Sequence, residues 1–383
     1  MIVAPAGSGK TVILAGAINA VLTAKPRSKR ANIGWIANTL EQCQQAEKAL
    51  AAFPAIANLA DVRVECAAAD CDWSATDLLV VDECHHATAP MWFDQISTAQ
   101  KALWGMTATP DTGDPERDQA LAELFIDRYV IDRSNVAHRL SKARVILLDA
   151  SDPGIGPQID EQIEKLKRQR VRWWKRSERT VAERALATAL KAQDRDAQAR
   201  ANAILNGLDS EVHMMCSWQA CVEFGIIANW VRNQIAITIT RDHVNAGDRC
   251  LVLVNQVEHG LSLAEAIPGA VTCYSKMGAK NRKAALAAFA AGTCPCLVAT
   301  SLADEGLDLP MANVLMLVSG GRSNAKTEQR TGRVLRTWAG KDGATIYDFE
   351  DNQHPLMRKH AMARQRLYEK LGYEIEPSNG GNQ

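Results

Sequence analysis

The sequence predicts an α/β protein with two parallel sheets, each flanked by helices, and a helical insertion between them. Three observations carry this reading. Residues 4–11 read A-P-A-G-S-G-K-T, a glycine-rich turn that follows an apolar strand end. Short continuous apolar runs at 78–81, 250–254 and 296–299 have the length and uniformity of strands covered on both faces. Helical stretches separate them, and residues 158–208 turn strongly helical and charged.

The first element ends at residues 2–4, and the turn after it is built for phosphate. Gly7 and Gly9 let the backbone curl so that successive N–H groups, with that of Ser8 between them, point at phosphate oxygens. Lys10 is a point charge able to reach the β- and γ-phosphates, and the Thr11 hydroxyl can hold Mg²⁺. Residues 12–22 read as a buried helix whose N-terminus favours an anion. Ala4 stands where the general pattern has its first glycine. A chance Gly/Ser turn before a lysine is the plain alternative for the loop alone.

Further strand–helix units fit before the next site: a strand at 32–37, a helix at 40–52 and a strand at 62–67. The run L-L-V-V at 78–81 then ends in Asp82-Glu83-Cys84-His85. Adjacent carboxylates at the carboxyl end of a parallel strand sit where an open α/β sheet places its ligand. Asp82 suits the metal and Glu83 suits orienting and deprotonating a water. W-G-M-T-A-T-P at 104–110 reads as another strand, ending in the hydroxyls of Thr107 and Thr109, which can link the metal site to a neighbouring domain.

The second series opens with a strand at 249–254 and continues with strands at 271–274, 296–299 and 314–318 and a helix at 280–291. The third of these strands leads into T-S-L-A-D-E-G-L-D-L-P at 300–310, and Q-R-T-G-R-V-L-R follows at 329–336. On one continuous helix Gln329, Arg333 and Arg336 share a face. Two guanidinium groups there can neutralise charge on a transferring phosphoryl group.

Loop, D-E-C-H, T-A-T, the 300–310 segment and Q-R-T-G-R-V-L-R, in this order, resemble motifs I, II, III, V and VI of the superfamily 2 helicases. The D-E-C-H form points to the DExH type within the DEAD/DEAH box family, of the phage and bacterial kind. The resemblance covers about residues 1–110 and 249–348. It implies two tandem RecA-like P-loop domains with ATP and Mg²⁺ in the cleft between them: residues 1–140, an edge strand and basic insertion at 141–246, and 247–383. It also implies roles. Gly7, Ser8, Gly9, Lys10 and Thr11 hold the nucleotide. Asp82 and Glu83 act on it, with Gln329, Arg333 and Arg336 supplied from the second domain as catalytic groups, the two arginines as fingers. Gly306 and Asp308 sense nucleotide across the cleft. His85, Thr107 and Thr109 couple the site to movement. Thr39, at motif Ia, Thr300 and Arg282, after motif IV, meet the nucleic-acid backbone.

The family normally carries a segment before the phosphate loop with a glutamine that reads adenine. Here only Met1, Ile2 and Val3 precede the loop, so either the true start lies upstream of Met1 or other contacts hold the base; in the second case discrimination of ATP from GTP is expected to be poor. An apolar sheet edge is expected to be exposed. Between the motif blocks, residues 144–148 suit an edge strand of the second sheet. Residues 165–179 hold eight Lys or Arg around Trp173-Trp174. Two readings stand: a basic, aromatic helix that grips phosphates and stacks on bases, or a solvated helix face with its tryptophans packed on a neighbour. Residues 217–240 read as a second helical region and 355–371 as an amphipathic helix capping the second domain.

Composition bounds the partners. Lys plus Arg and Asp plus Glu balance at 44 each, so any nucleic-acid surface must be a local patch. No apolar run approaches the ~18–20 residues of a membrane span, and the N-terminus is not read as a signal peptide. Ten cysteines without a small disulfide scaffold suit reduced thiols in a cytoplasm, bacterial or phage-encoded. Cys66/Cys71 and Cys216/Cys221 are better read as small apolar groups than as zinc ligands. The leading expectation is an ATP-driven helicase or translocase on DNA rather than RNA. A duplex-translocating motor without strand separation, needing a partner subunit for any cleavage, is the runner-up. A non-catalytic nucleic-acid-binding remnant is the third, against which stands every phosphate-handling residue.

Overall fold

The chain winds through two all-parallel sheets in turn, and the phosphate loop lies at the carboxyl end of a strand inside the first. The computed structural model describes residues 1–24, 28–110, 114–132, 140–170, 174–300, 309–321 and 324–377. The first sheet is built from β1 (Ile2–Val3), α1 (Lys10–Ala24), β2 (Ala31–Ala37), α2 (Leu40–Ala51), α3 (Pro54–Leu59), β3 (Ala60–Cys66), β4 (Leu78–Asp82), α4 (Pro90–Ile96), β5 (Ala102–Thr107), α5 (Pro115–Leu124) and β6 (Tyr129–Val130). Its strand order is β3-β2-β4-β5-β1-β6. The strands alternate their side chains between two apolar layers. Trp35, Val80 and Met106 meet Leu14 and Ile18 of α1 on one side. Ile36, Leu79 and Val81 meet Trp73, Trp92 and Phe125 on the other. The two-residue β6 is the edge next to β1, and Tyr129, Val130 and Ile126 beside it are exposed.

The chain then passes through β7 (Lys142–Leu148), α6 (Ile155–Arg170), α7 (Arg176–Ala192), α8 (Arg195–Ala220) and α9 (Trp230–Asn245). The second sheet continues with β8 (Cys250–Leu253), α10 (Val257–Ala266), β9 (Ala270–Cys273), α11 (Ala279–Ala291), β10 (Cys296–Ala299), β11 (Val314–Leu317), α12 (Asn324–Val334), β12 (Gly343–Phe349), α13 (Pro355–Lys370) and β13 (Glu374–Pro377). Its order is β13-β7-β12-β11-β8-β10-β9, every pair parallel. The expected class, two tandem parallel α/β units with a helical insertion, is the observed one.

Three expectations need correction. The strand over 144–148 is not an edge: β7 lies between β12 and β13, because β13 adds a further parallel strand after α13. The basic stretch 165–179 is not one helix: α6 ends at Arg170 and α7 begins at Arg176. The 217–240 region is not continuous either. α8 runs into a π-turn over Cys221–Ile227, and α9 restarts after Asn229, whose side chain caps it by accepting from the Arg232 N–H at 2.9 Å.

α6 and α8 pack through their own apolar cluster, which includes Ile159, Ile163, Val212 and Cys216. α9 instead lies on the second sheet, where Ala236 joins Cys250, Val252 and Met316. α13 is fixed to the opposite layer by Tyr368 and by a buried ionic network. Arg364 spans Asp348 with Nε to Oδ2 at 2.7 Å and Nη2 to Oδ1 at 3.0 Å, and its Nη2 also reaches Asp351 at 3.0 Å. Arg232 of α9 pairs with the same Asp351 and lies over the Phe349 ring at 3.9 Å. Burial works against the Arg364 charge, but the two carboxylates outweigh it and raise its pKa. Cys71, Cys216 and Cys221 are buried in apolar clusters, and burial pushes the Cys221 thiol up to about 12.

Candidate active site

The phosphate loop has the shape its glycines permit. Gly7 and Gly9 take φ of 80° and 83°, a region open to glycine at no steric cost. Ser8 is fully buried and its Oγ has no partner among the described residues. Lys10 opens α1 and Thr11 follows in its first turn. The loop is held to the neighbouring strand by the Ala4 N–H, which donates to the Thr107 carbonyl at 3.0 Å.

The strand-end acids converge on this loop. Asp82 closes β4 and is buried, and its Oδ1 accepts from the Glu83 N–H at 2.9 Å. Burial and then the adjacent Glu83 charge push the Asp82 carboxyl up. Burial acts on Glu83 in the same sense, but Lys10, 4.0 Å away, and His85 outweigh it and hold its carboxyl low. Glu83 is in the left-handed region, with φ 48° and ψ 52°. A non-glycine residue there stores strain, and such strain gathers at working sites. It turns the Glu83 carboxylate back toward β5. The Thr107 hydroxyl donates to Glu83 Oε2 at 3.3 Å, His85 Nδ1 is 2.9 Å from the same hydroxyl, and the Thr109 N–H donates to it at 3.1 Å. Lys10, Glu83, His85, Thr107 and Thr109 therefore form one connected network. His86, next in the chain, stacks toward Trp92 at 5.7 Å, and burial, then the neighbouring His85, pull it down to about 4.

These residues fit a Mg²⁺-bound triphosphate. An orphaned buried hydroxyl, two left-handed glycines, a lysine against a carboxylate and an aspartate raised by burial and then by its neighbour all lack what a polyphosphate and a divalent cation supply. Thr11 and Asp82 could hold the metal. Among the described residues no cluster of three or more His, Cys, Asp or Glu could hold a metal alone. Mg²⁺ sites built on substrate phosphates use one or two carboxylates, so the two observations agree.

The second sheet brings α12 against the loop. The Ala6 N–H meets Glu328 Oε1 at 3.4 Å. A Cβ on Gly332 would lie 2.5 Å from Ala6 Cβ, and one on Gly7 would lie 2.7 Å from the Gly332 carbonyl oxygen. Arg333 is buried one residue on, and Gln329 is half-buried in the same helix. The expected single face for Gln329, Arg333 and Arg336 is corrected here. α12 stops at Val334, and Arg336 lies beyond it in an antiparallel bridge with Leu140. The stop has a cause: the Lys341 ammonium takes the carbonyls of Val334, Arg336, Ala312 and Pro310. Arg336 still faces the loop, with Cγ 3.6 Å from where a Gly7 side chain would begin.

Glu328, Gly332 and Lys341 were not foreseen. A signal existed for Gly332, since glycine inside a helix costs about 1 kcal/mol against alanine and marks a close approach. Gly332→Ala is expected to wedge α12 off the loop and lower nucleotide turnover by about 10²-fold. Helix propensity favours the alanine, so a melting temperature that falls in step with activity would argue for misfolding instead.

The expected nucleic-acid contacts are placed unevenly. Thr39 is the N-cap of α2, in a reciprocal capping box with Gln42. Arg282 of α11 pairs with Glu41 of α2 at 3.0 Å, so these two residues meet across the cleft. Thr300 is buried and its N–H donates to the Cys273 carbonyl at 3.2 Å. Gly306, Asp308 and Trp173 lie outside the described residues. Trp174 packs against the insertion cluster and its indole N–H donates to Glu211 at 3.2 Å. Of the two readings of the basic stretch, the packed one holds for Trp174. Neighbouring charges are also taken up internally, Lys175 by Glu211 and Arg179 by Asp209.

Compared with known proteins, residues 231–337 match the family described as the helicase conserved C-terminal domain. Over 124 residues, 31% of this chain, it is 33% identical to "Putative helicase 22" of Sulfolobus islandicus filamentous virus (isolate Iceland/Hveragerdi). Over 106 residues, 27% of this chain, it is 34% identical to "DNA 3'-5' helicase XPB" of Mycobacterium tuberculosis (strain ATCC 25618 / H37Rv). The matched stretches span 22% and 19% of those relatives' lengths. The solved Pyrococcus furiosus Hef helicase domain superposes with a TM-score of 0.49 at 16% identity, covering 91% of this chain and 92% of that one. No helix among the described residues is long and apolar enough to cross a membrane.

Proposed function

We propose, from the premise that the chain belongs to the superfamily 2 helicases, that it hydrolyses ATP between its two sheets to drive movement along DNA. The observation that carries the reading is the direct packing of α12 on the phosphate loop, with Gly332 against Ala6. That packing supports a role for the Gln329, Arg333 and Arg336 segment of one unit at the phosphate loop of the other. ATP with Mg²⁺ supplies the phosphoanhydride to be cleaved.

The chain's residues divide the work. Gly7, Ser8 and Gly9 cradle phosphate, and Lys10 leaves Glu83 to reach it. Thr11 and Asp82 hold the metal. Glu83, kept ionised by Lys10 and His85, orients a water and takes its proton. Arg333 and Arg336 neutralise charge on the transferring phosphoryl group. His85, Thr107 and Thr109 pass the state of Glu83 to the end of β5. Opening and closing of the cleft then shifts Thr39, at the N-cap of α2, and Arg282, which pairs with Glu41 of α2, along a nucleic-acid backbone.

DNA is favoured over RNA on the name of the mycobacterial relative. ATPase rate against single- and double-stranded DNA and RNA tests the assignment. DNA is expected to stimulate the rate, and a rate indifferent to every nucleic acid would count against it. A strand-displacement assay separates unwinding from translocation on an intact duplex.

A further inference from the structure

The second sheet has its own crevice, away from the phosphate loop. β8 continues through α10 and α11 to β9 and β10 on one side, while β11 continues through α12 to β12 on the other. The point between β8 and β11 is thus where the winding reverses. In open α/β sheets, ligands bind outside the carboxyl ends of the strands at such a point. Here a cavity of about 880 Å³ occupies it, lined at the sheet by Asn255 and Gln256 after β8 and by Gly320 and Gly321 after β11. The insertion forms its opposite wall. The size falls within the ~300–1,000 Å³ of sites for organic ligands.

Its chemistry is specific. The walls carry the indoles of Trp174 and Trp218, with the His360 ring tilted against Trp218 at 4.9 Å, and the thioethers of Met214 and Met215. Flat polarisable surfaces of this kind receive an aromatic ring. The amides of Asn255 and Gln256 offer donors and acceptors to a ring edge. Lys326, Arg330 and Lys359 bring positive charge. The acid in the lining, Glu211, is engaged by the Trp174 N–H and by Lys175. α10 begins directly after Gln256 and adds the favourable end of its dipole.

We infer that this cavity binds a nucleotide, base against the indoles and phosphate toward the lysines, as a second site distinct from the phosphate loop. The occupant inferred is a free mononucleotide, not a unit of the strand on which the proposed motor moves. α12 separates the two sites. Thr327 and Arg330 line the cavity, whereas Glu328 and Gly332 meet the loop. An occupant therefore presses on the helix that closes the ATP site.

Equilibrium dialysis of AMP with the full chain tests this. In a Lys10→Ala background, which weakens the phosphate-loop site, AMP is expected to bind still. Adding Met214→Glu and Lys359→Glu, both at exposed positions, is expected to weaken that remaining binding by at least about tenfold. Absence of AMP binding in Lys10→Ala, or binding that survives the two added substitutions at full affinity, overturns the inference. Thermal melts of each variant confirm that it is folded. Competition by short oligo(deoxythymidine) for the surviving AMP would assign the cavity to the path of the strand and also overturn the inference, whereas lack of competition is the expected result.

Discussion

Glu83→Gln is expected to lower ATP turnover by about 10²–10⁴-fold, the range for removing a positioned general base. Nucleotide binding should persist, because Gly7, Gly9 and Lys10 remain. The amide keeps the shape of the carboxylate but cannot take a proton. It also removes the negative partner of Lys10 at 4.0 Å, which frees the ammonium for phosphate and favours tighter binding. Lys10→Ala is expected to act differently, losing nucleotide affinity together with turnover. Measured turnover and equilibrium nucleotide binding distinguish the two. Wild-type turnover in Glu83→Gln would remove Glu83 from the base role. Thr107→Ala should fall between wild type and Glu83→Gln, since it deletes a donor to Glu83 Oε2 but leaves Lys10 and His85 in place.

Arg364→Ala is expected to destabilise the second unit by about 3–5 kcal/mol, the penalty for stripping one partner from a buried ion pair. Asp348 would lose both of its guanidinium contacts and keep the Tyr368 hydroxyl, at 2.7 Å, and the Phe349 N–H, at 2.8 Å. Asp351 would retain Arg232. Arg364→Lys should recover little, because an ammonium cannot span Asp348 with two bonds while also reaching Asp351 and the Gly321 carbonyl. Urea unfolding followed by far-UV circular dichroism measures both variants. A loss under about 1 kcal/mol for Arg364→Ala would mean that the network contributes little to holding α13.

Most strands were legible because parallel sheets bury both faces and leave uniform apolar runs, as at 250–254 and 296–299. β13 was not: Glu374–Pro377 has two glutamates and a proline, and only its place beyond β7 makes it a strand. The break between α6 and α7 was hidden for a related reason. Basic residues continue across it, and helix-forming composition says nothing about where two helices turn to pack on a third. The left-handed Glu83 was also invisible, since glutamate carries no local preference for that conformation.

The sequence by itself determined the chemistry of the candidate site. Phosphate loop, strand-end acids and hydroxyl pair each need only a few adjacent residues and one strand end to orient them, so local pattern suffices. The tertiary structure alone decided how the halves meet. Ala6 and Glu328 are 322 residues apart, and Gly332 fits Ala6 only because two separately folded sheets dock at that distance. The same docking joins Arg282 to Glu41. Contacts of that kind are set by packing surfaces assembled from distant segments, which no local spacing records.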